Sequence, residues 1–343
     1  MLLQRSIMLA LKFWRDTMTS KKSLMGFAAL LIVFFHFWMP LSTSTIETTI
    51  YKSTYIGVDI FFFVSAYSQA QRKQSNYGKF ILNRMEYIYA PFVVMAIINA
   101  IYKHWKIKQL LLVLCGADFF RRGGGAFLWF IVAIMLLYLI APFIVRLKER
   151  LGLKALLIVL AIWAILVGVL QYGFGYKTIF IMLNRIPIFM LGMYYDEIRQ
   201  VIPKKARLIT IIAGLIIGGL LIAKYGAMVR LMKPVADFYY VVAVPFTVAV
   251  VGLFDFISQR TSIKNIPLIF IGGITLELYG MQMIFGYDIE IKIFKLLMPT
   301  VLPLWVSKLG SCILTVCILI LIAWVFANIK KFIIEFIKKI NNK

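Results

Sequence analysis

The chain has 343 residues, of which 62% are hydrophobic and only 15% charged. A soluble domain of this length cannot bury so much apolar surface, which excludes an aqueous globular protein and leaves lipid as the solvent. A formal net charge of +24 would indicate nucleic acid in a soluble chain, but here Lys and Arg fall between apolar runs, as they do in proteins oriented in a bilayer, so no nucleic-acid partner is expected.

Residues 1–22, MLLQRSIMLALKFWRDTMTSKK, start basic, yet Gln4, Arg5, Lys12, Arg15 and Asp16 interrupt any signal-peptide core and no small-residue cleavage site follows. They read as a cytoplasmic amphipathic helix on the membrane surface. Apolar segments long enough to cross follow at about 24–40, 55–70, 87–102, 126–145, 155–173, 178–195, 207–223, 237–256, 266–286 and 304–328. The sequence thus predicts an all-α, polytopic transmembrane helix bundle of about ten spans, with a membrane domain over 23–329 and a basic cytoplasmic tail over 330–343. With the N-terminus inside, twenty-four Lys and Arg fall in cytoplasmic segments and thirteen in outer ones, Arg185 remaining inside a span. Both termini are therefore expected in the cytoplasm of a multi-pass cell-membrane protein.

The outer segment Lys103–Gly125 breaks that pattern, with five positive charges around QLLLVLCGADFF; it reads as an interfacial or re-entrant stretch. Within it His104 is expected to be an interfacial residue beside Trp105. Arg121 and Arg122 precede three glycines without Walker or dinucleotide spacing, which suggests only a flexible outer loop. Cys115, Cys312 and Cys317 have no C-x-x-C spacing, so they are expected to be buried apolar filler, and neither a disulfide framework nor a metal site is expected. The gaps between spans are too short for a soluble domain, and no internal repeat is visible.

A charge near the bilayer centre costs at least about 2.5–3.5 kcal/mol, so His36, Asp59, Arg185 and Glu277 inside apolar runs must be paired or lie beside water. Helical rise places His36 roughly 21 Å beyond Lys22 and Glu277 roughly 20 Å beyond Lys264, while Arg185 lies roughly 12 Å and Asp59 within about 10 Å of the outer surface. All four fall in one layer. One imidazole, two carboxylates and a guanidinium at a common depth suit a site that moves a proton and binds a polar substrate; the alternative is a structural polar network between helices.

The same residues lie in blocks that resemble the acyltransferase-3 family. MGFAALLIVFFHF at 25–37 and YIGVDIFFFVSAY at 55–67 are similar to its R-x10-H and G-V-D-x-F-F-x-x-S-G elements. FILNRMEYIYAPF at 80–92 is similar to its Arg-rich cytoplasmic segment and FLWFIVAIMLLYLIAPF at 127–143 to its W-F-x-x-x-L-x-x-Y element. RIPIFMLGM at 185–193 and FIGGITLELYGMQ at 270–282 resemble R-x-P-x-F-x-x-G and G-x-x-S-x-x-x-Y-L-x-H. Six blocks in order make the resemblance stronger than any one of them. The departures are Met25 for the Arg eleven residues before the His, Ala66 for a Gly, Tyr87 for the third Arg of the cytoplasmic segment and Gln282 for the late His; Lys21 or Lys22, one turn away, would have to replace the Arg that Met25 lacks.

The resemblance implies transfer of an acyl group, acetyl by family frequency, from cytoplasmic acyl-CoA (acetyl-CoA) to a hydroxyl of a carbohydrate acceptor such as an exopolysaccharide. His36 would be the general base and Asp59 or Glu277 its orienting carboxylate. Arg185, or Asn184 beside it, would stabilise the oxyanion unless Arg185 is engaged in a buried salt bridge to Glu277. Arg84 would meet the CoA phosphates, whereas Arg72, Lys73 and Lys79 are expected to contact anionic lipid. The competing readings are a transporter, which also places ionisable residues in the membrane, and a non-catalytic relative in polysaccharide assembly, for which Met25 and Gln282 speak.

Overall fold

A computed structural model describes residues 21–37, 45–71, 77–170, 178–225, 239–260, 265–298 and 303–341. The surface helix expected over 1–22 lies, but for its last two residues, outside them. All regular elements among the described residues are helices, as expected. In chain order they begin with α1 (21–37), α2 (Thr45–Ser53), α3 (Ile56–Ala70), α4 (Tyr77–Arg84), a π turn over Met85–Tyr89 and α5 (Ala90–Tyr102). Next come α6 (Ile107–Leu114), α7 (Ala117–Arg122), α8 (Trp129–Leu151), α9 (Leu153–Gly168), α10 (Phe180–Leu183), α11 (Ile186–Met193), α12 (Tyr195–Val201) and α13 (Lys204–Tyr225). The chain continues through α14 (Tyr239–Val242), α15 (Val244–Arg260), α16 (Ile266–Gly273), α17 (Thr275–Met281), a second π turn over Gln282–Gly286, α18 (Tyr287–Leu297) and α19 (Leu304–Asn341).

Among the described residues four helical stretches are long and apolar enough to cross a membrane: Tyr77–Tyr102, Trp129–Leu151, Lys205–Lys224 and Leu304–Ile333; the broken pair Ile266–Gly273 and Thr275–Leu297 makes a fifth if it is one span. Leu153–Gly168, Phe180–Met193 and Val244–Ser258 are apolar but shorter. By length and composition four to five of the described helical stretches qualify, while the hydropathy reading expects about ten spans, several of which run into residues outside the described ones. Two of the expected segments are broken in the fold. The stretch 178–195 is two short helices meeting at Asn184 and Arg185, and 266–286 stops at Gly273, restarts at Thr275 and runs on to Leu297.

The third apolar segment starts earlier than expected, because α4 carries the polar residues Lys79, Asn83 and Arg84 into one helical path with α5. The π turn between them lies just ahead of Pro91. A proline ring collides with the carbonyl four residues back in a regular α-helix, and the wider turn moves that carbonyl aside.

Contacts divide the chain into two compact units, the first drawn from Met1–Ile32, Thr43–Tyr67 and Pro187–Thr275, the second from Val33–Ser42, Ser68–Ile186 and Leu276–Lys343. In the first unit α13 packs on α15 through a G-x-x-x-G pair. A Cβ at Gly214 would lie 2.8 Å from that of Ala249, and one at Gly218 would lie 2.6 Å from the Phe246 backbone nitrogen. Small residues let the two backbones approach, which is how helices gain packing energy where lipid removes the hydrophobic drive. The other side of α13 exposes Ile209, Ile212, Ile216 and Leu220 at helical spacing, an apolar stripe suited to lipid.

In the second unit α18 lies along α19, and Glu290 of the former accepts from Lys308 Nζ at 2.6 Å and from Ser311 Oγ at 3.4 Å. All three are buried or nearly so, which satisfies a charge pair away from water. The stretch between α5 and α8 is two short helices rather than a loose loop. Asp118, buried in α7, takes Nε of Arg122 at 2.7 Å and a second guanidinium nitrogen, and Gly123, with φ 54°, abuts the Thr178 carbonyl. Arg122 thus has a carboxylate one turn back, and Gly123 supplies the positive φ that a side chain resists. The cysteines also depart from expectation. Cys312 is buried, but Cys115 and Cys317 are exposed. Five residues apart, Cys312 and Cys317 lie about 140° from each other around α19 and cannot share its buried face.

Candidate functional site

His36 is the penultimate residue of α1 and is exposed, its imidazole edge-on to Phe35 at 5.6 Å. Its neighbour Phe37 is buried and seats against Gly286, where a Cβ would collide with the ring. That contact docks the histidine end of α1 on the π turn Gln282–Gly286. Extra turns of this kind interrupt regular helices and recur at functional positions. Gln282, which stands where the family has its late His, opens the turn; it is buried, and among the described residues its Oε1 has no hydrogen-bond partner.

Three of the sequence blocks are joined by contacts in the same unit. Tyr279 of α17 lies edge-on to Phe130 of α8, with ring centroids 6.0 Å apart. Beside Phe130, Trp129 carries the Arg185 guanidinium over its ring at 5.0 Å. Arg185 is wholly buried at the α10–α11 break and donates Nη1 to the Ile181 carbonyl. A guanidinium stacked on an indole is held by its face, which leaves its edge to donate hydrogen bonds. Gly280, one residue past Tyr279, admits Met95 of α5 against its backbone, so α17 is wedged between α5 and α8.

Glu277, 2% exposed, forms a salt bridge with Lys330 of α19, whose side chain is 31% exposed. The salt bridge weighed between Arg185 and Glu277 therefore runs from Glu277 to Lys330 instead. Sequence reasoning counted Lys330 with the cytoplasmic tail and set Glu277 in the outer half by counting residues from Lys264. Counting assumes one straight helix, and the break at Ile274 removes that assumption.

Arg84 ends α4 half-buried, its guanidinium 4.8 Å from the Tyr138 ring and 5.2 Å from that of Phe80. Both aromatic partners lie within blocks already singled out, although nothing in their spacing announced the pairing. Four of the five expected site residues, His36, Arg84, Arg185 and Glu277, therefore belong to the second unit.

Asp59 belongs to the first unit. It is 1% exposed in the opening turn of α3, just after Gly57, whose missing Cβ brings α3 against the Ala28 carbonyl of α1. One and two turns further on, Phe63 and Tyr67 meet Tyr195 edge-on at 5.3 and 5.9 Å. Lys21, one of the two lysines able to replace the Arg absent at Met25, sits over the Tyr67 ring at 4.4 Å. Sequence reasoning missed this aromatic set and the carboxylates it joins: the Tyr67 hydroxyl lies 3.4 Å from Asp196, and that of Tyr195 lies 3.1 Å from Asp255.

Among the described residues no cluster of three or more His, Cys, Asp or Glu side chains is arranged to hold a metal. Compared with known proteins, residues 24–324 match a family model described as an acyltransferase domain. No curated protein and no solved structure matches the chain.

Proposed function

Because the chain belongs to the acyltransferase-3 family, matched over residues 24–324, we propose that it is a membrane-bound O-acyltransferase that moves an acetyl group from cytoplasmic acetyl-CoA to a hydroxyl of a cell-surface carbohydrate. What supports this reading is a run of contacts within one unit between the family's blocks: Phe37, next to His36, seats on Gly286, Tyr279 lies edge-on to Phe130, and Trp129 beside it carries Arg185 over its ring. The chain is read as crossing the cell membrane about ten times, its shorter apolar helices included, with both termini cytoplasmic on the bias of its Lys and Arg.

In this mechanism His36 removes the proton of the acceptor hydroxyl as its oxygen attacks the thioester carbonyl; the tetrahedral intermediate then collapses with cleavage of the C–S bond, and the departing CoA thiolate takes the proton from the imidazolium. Arg185 donates to the oxyanion that forms, and the Trp129 ring holds it in position so that little reorganisation is needed during reaction. Arg84, gripped by Phe80 and Tyr138, presents guanidinium N–H groups to the donor phosphates. The carboxylate proposed to orient the imidazole is Asp59 or Glu277, the latter already bonded to Lys330.

The test is transfer from radiolabelled acetyl-CoA to cell-envelope glycan in membranes containing wild type or His36→Ala. Label in glycan only with wild type supports the assignment. Wild-type turnover in the variant refutes His36 as the base, and no transfer by either protein favours a degenerate relative or a transporter.

A further inference from the structure

The first unit holds a cavity of about 600 Å3 that the acyl-transfer chemistry does not use. It lies among α12, α13 and α15, and its volume falls in the range of about 300–1,000 Å3 usual for small-molecule sites. The body is apolar, walled by Ile198, Ile211, Val248 and Phe256, with room left by Gly214 and Gly252. One end is charged: Arg199, Arg207, Asp255 and Tyr195 line it.

The charges at that end do not cancel. Arg199 Nη1 stands 3.3 Å from Asp255, whose same oxygen takes the Tyr195 hydroxyl at 3.1 Å. Arg207 donates Nη2 to the Arg199 carbonyl at 3.0 Å and Nε to the Ile202 carbonyl at 3.3 Å, capping the end of α12. Among the described residues no ion pair involves Arg207. Among the side chains that line the cavity, two guanidinium groups therefore stand against one carboxylate above an apolar slot.

That combination fits an amphiphile with an anionic head. We propose that the cavity binds an anionic phospholipid, its phosphate held by Arg207 and Arg199 and one acyl chain lying in the slot between α13 and α15. The inference rests on the topology proposed above, which puts 199–207 at the cytoplasmic face, where basic pockets between membrane helices take anionic headgroups.

The full chain, purified in detergent and delipidated, would be titrated with phosphatidylglycerol or with phosphatidylcholine of identical chains, and retained lipid counted by native mass spectrometry. The wild type is expected to hold one phosphatidylglycerol at least about tenfold more tightly than phosphatidylcholine, the scale of one charged hydrogen bond. Arg207→Gln should lose about that factor. Since Arg207 also caps α12, Val248→Phe provides a second variant that fills the slot and keeps both arginines; it too should lose the lipid while eluting as a monodisperse protein. Equal retention of the two lipids, undiminished retention in Val248→Phe, or displacement of phosphatidylglycerol by acetyl-CoA would overturn the proposal. Because lipid is counted without donor or acceptor present, its outcome is separable from that of the acyl-transfer assay.

Discussion

Substituting Lys330 by Met removes the cation from a carboxylate that is 2% exposed. Breaking a buried ion pair from one side costs about 3–5 kcal/mol because the remaining charge is uncompensated. Lys330 itself is about one-third exposed, so the pair is not fully desolvated and the lower end, about 3 kcal/mol, is expected. The opposite change, Glu277→Gln, leaves an ammonium that can reach polar surroundings and should cost only about 1 kcal/mol. The double variant Glu277→Gln/Lys330→Met carries no orphaned charge and should recover most of the Lys330→Met loss. Thermal denaturation followed by fluorescence-detected size exclusion in one detergent would rank the three, with Lys330→Met about 4 °C below wild type. If Lys330→Met and Glu277→Gln fall by equal small amounts and the double variant is simply additive, the two side chains do not form the pair on which this reasoning depends.

Three further outcomes are expected. Arg185→Lys keeps the charge but loses the planar stack on Trp129, and should lower kcat about a hundredfold in the acetyl-transfer assay with little change in expression. Arg84→Gln should raise KM for acetyl-CoA about tenfold and leave kcat nearly unchanged, because the phosphates do not react; a fall confined to kcat would place Arg84 elsewhere. Gly218→Val drives a side chain into the Phe246 backbone and should destabilise the protein by about 1–3 kcal/mol, read as a lower denaturation midpoint, whereas Gly219→Val, at a glycine with open space, should be near neutral.

Membrane residence, helical class and family were legible from the amino-acid order alone, because apolar content, run length and motif order are local properties. The same holds for His36, Asp59, Arg84, Arg185 and Glu277 as residues to explain, since each is an ionisable group within or beside an apolar run. Their partners were not legible. Glu277 meets Lys330, fifty-three residues away along the chain, and Arg185 lies over the Trp129 ring, fifty-six residues away. Hydropathy also overstated the continuity of helices, since a window average passes smoothly over Ile274 and over Arg185, where the backbone breaks. The cavity beside Arg207 has no local signature at all, being formed by one face each of three helices. Sequence sets which groups need compensation because solvent and charge act on each residue where it stands. Tertiary packing decides what compensates them, because side chains meet through helix crossings and breaks that no run of neighbouring residues encodes.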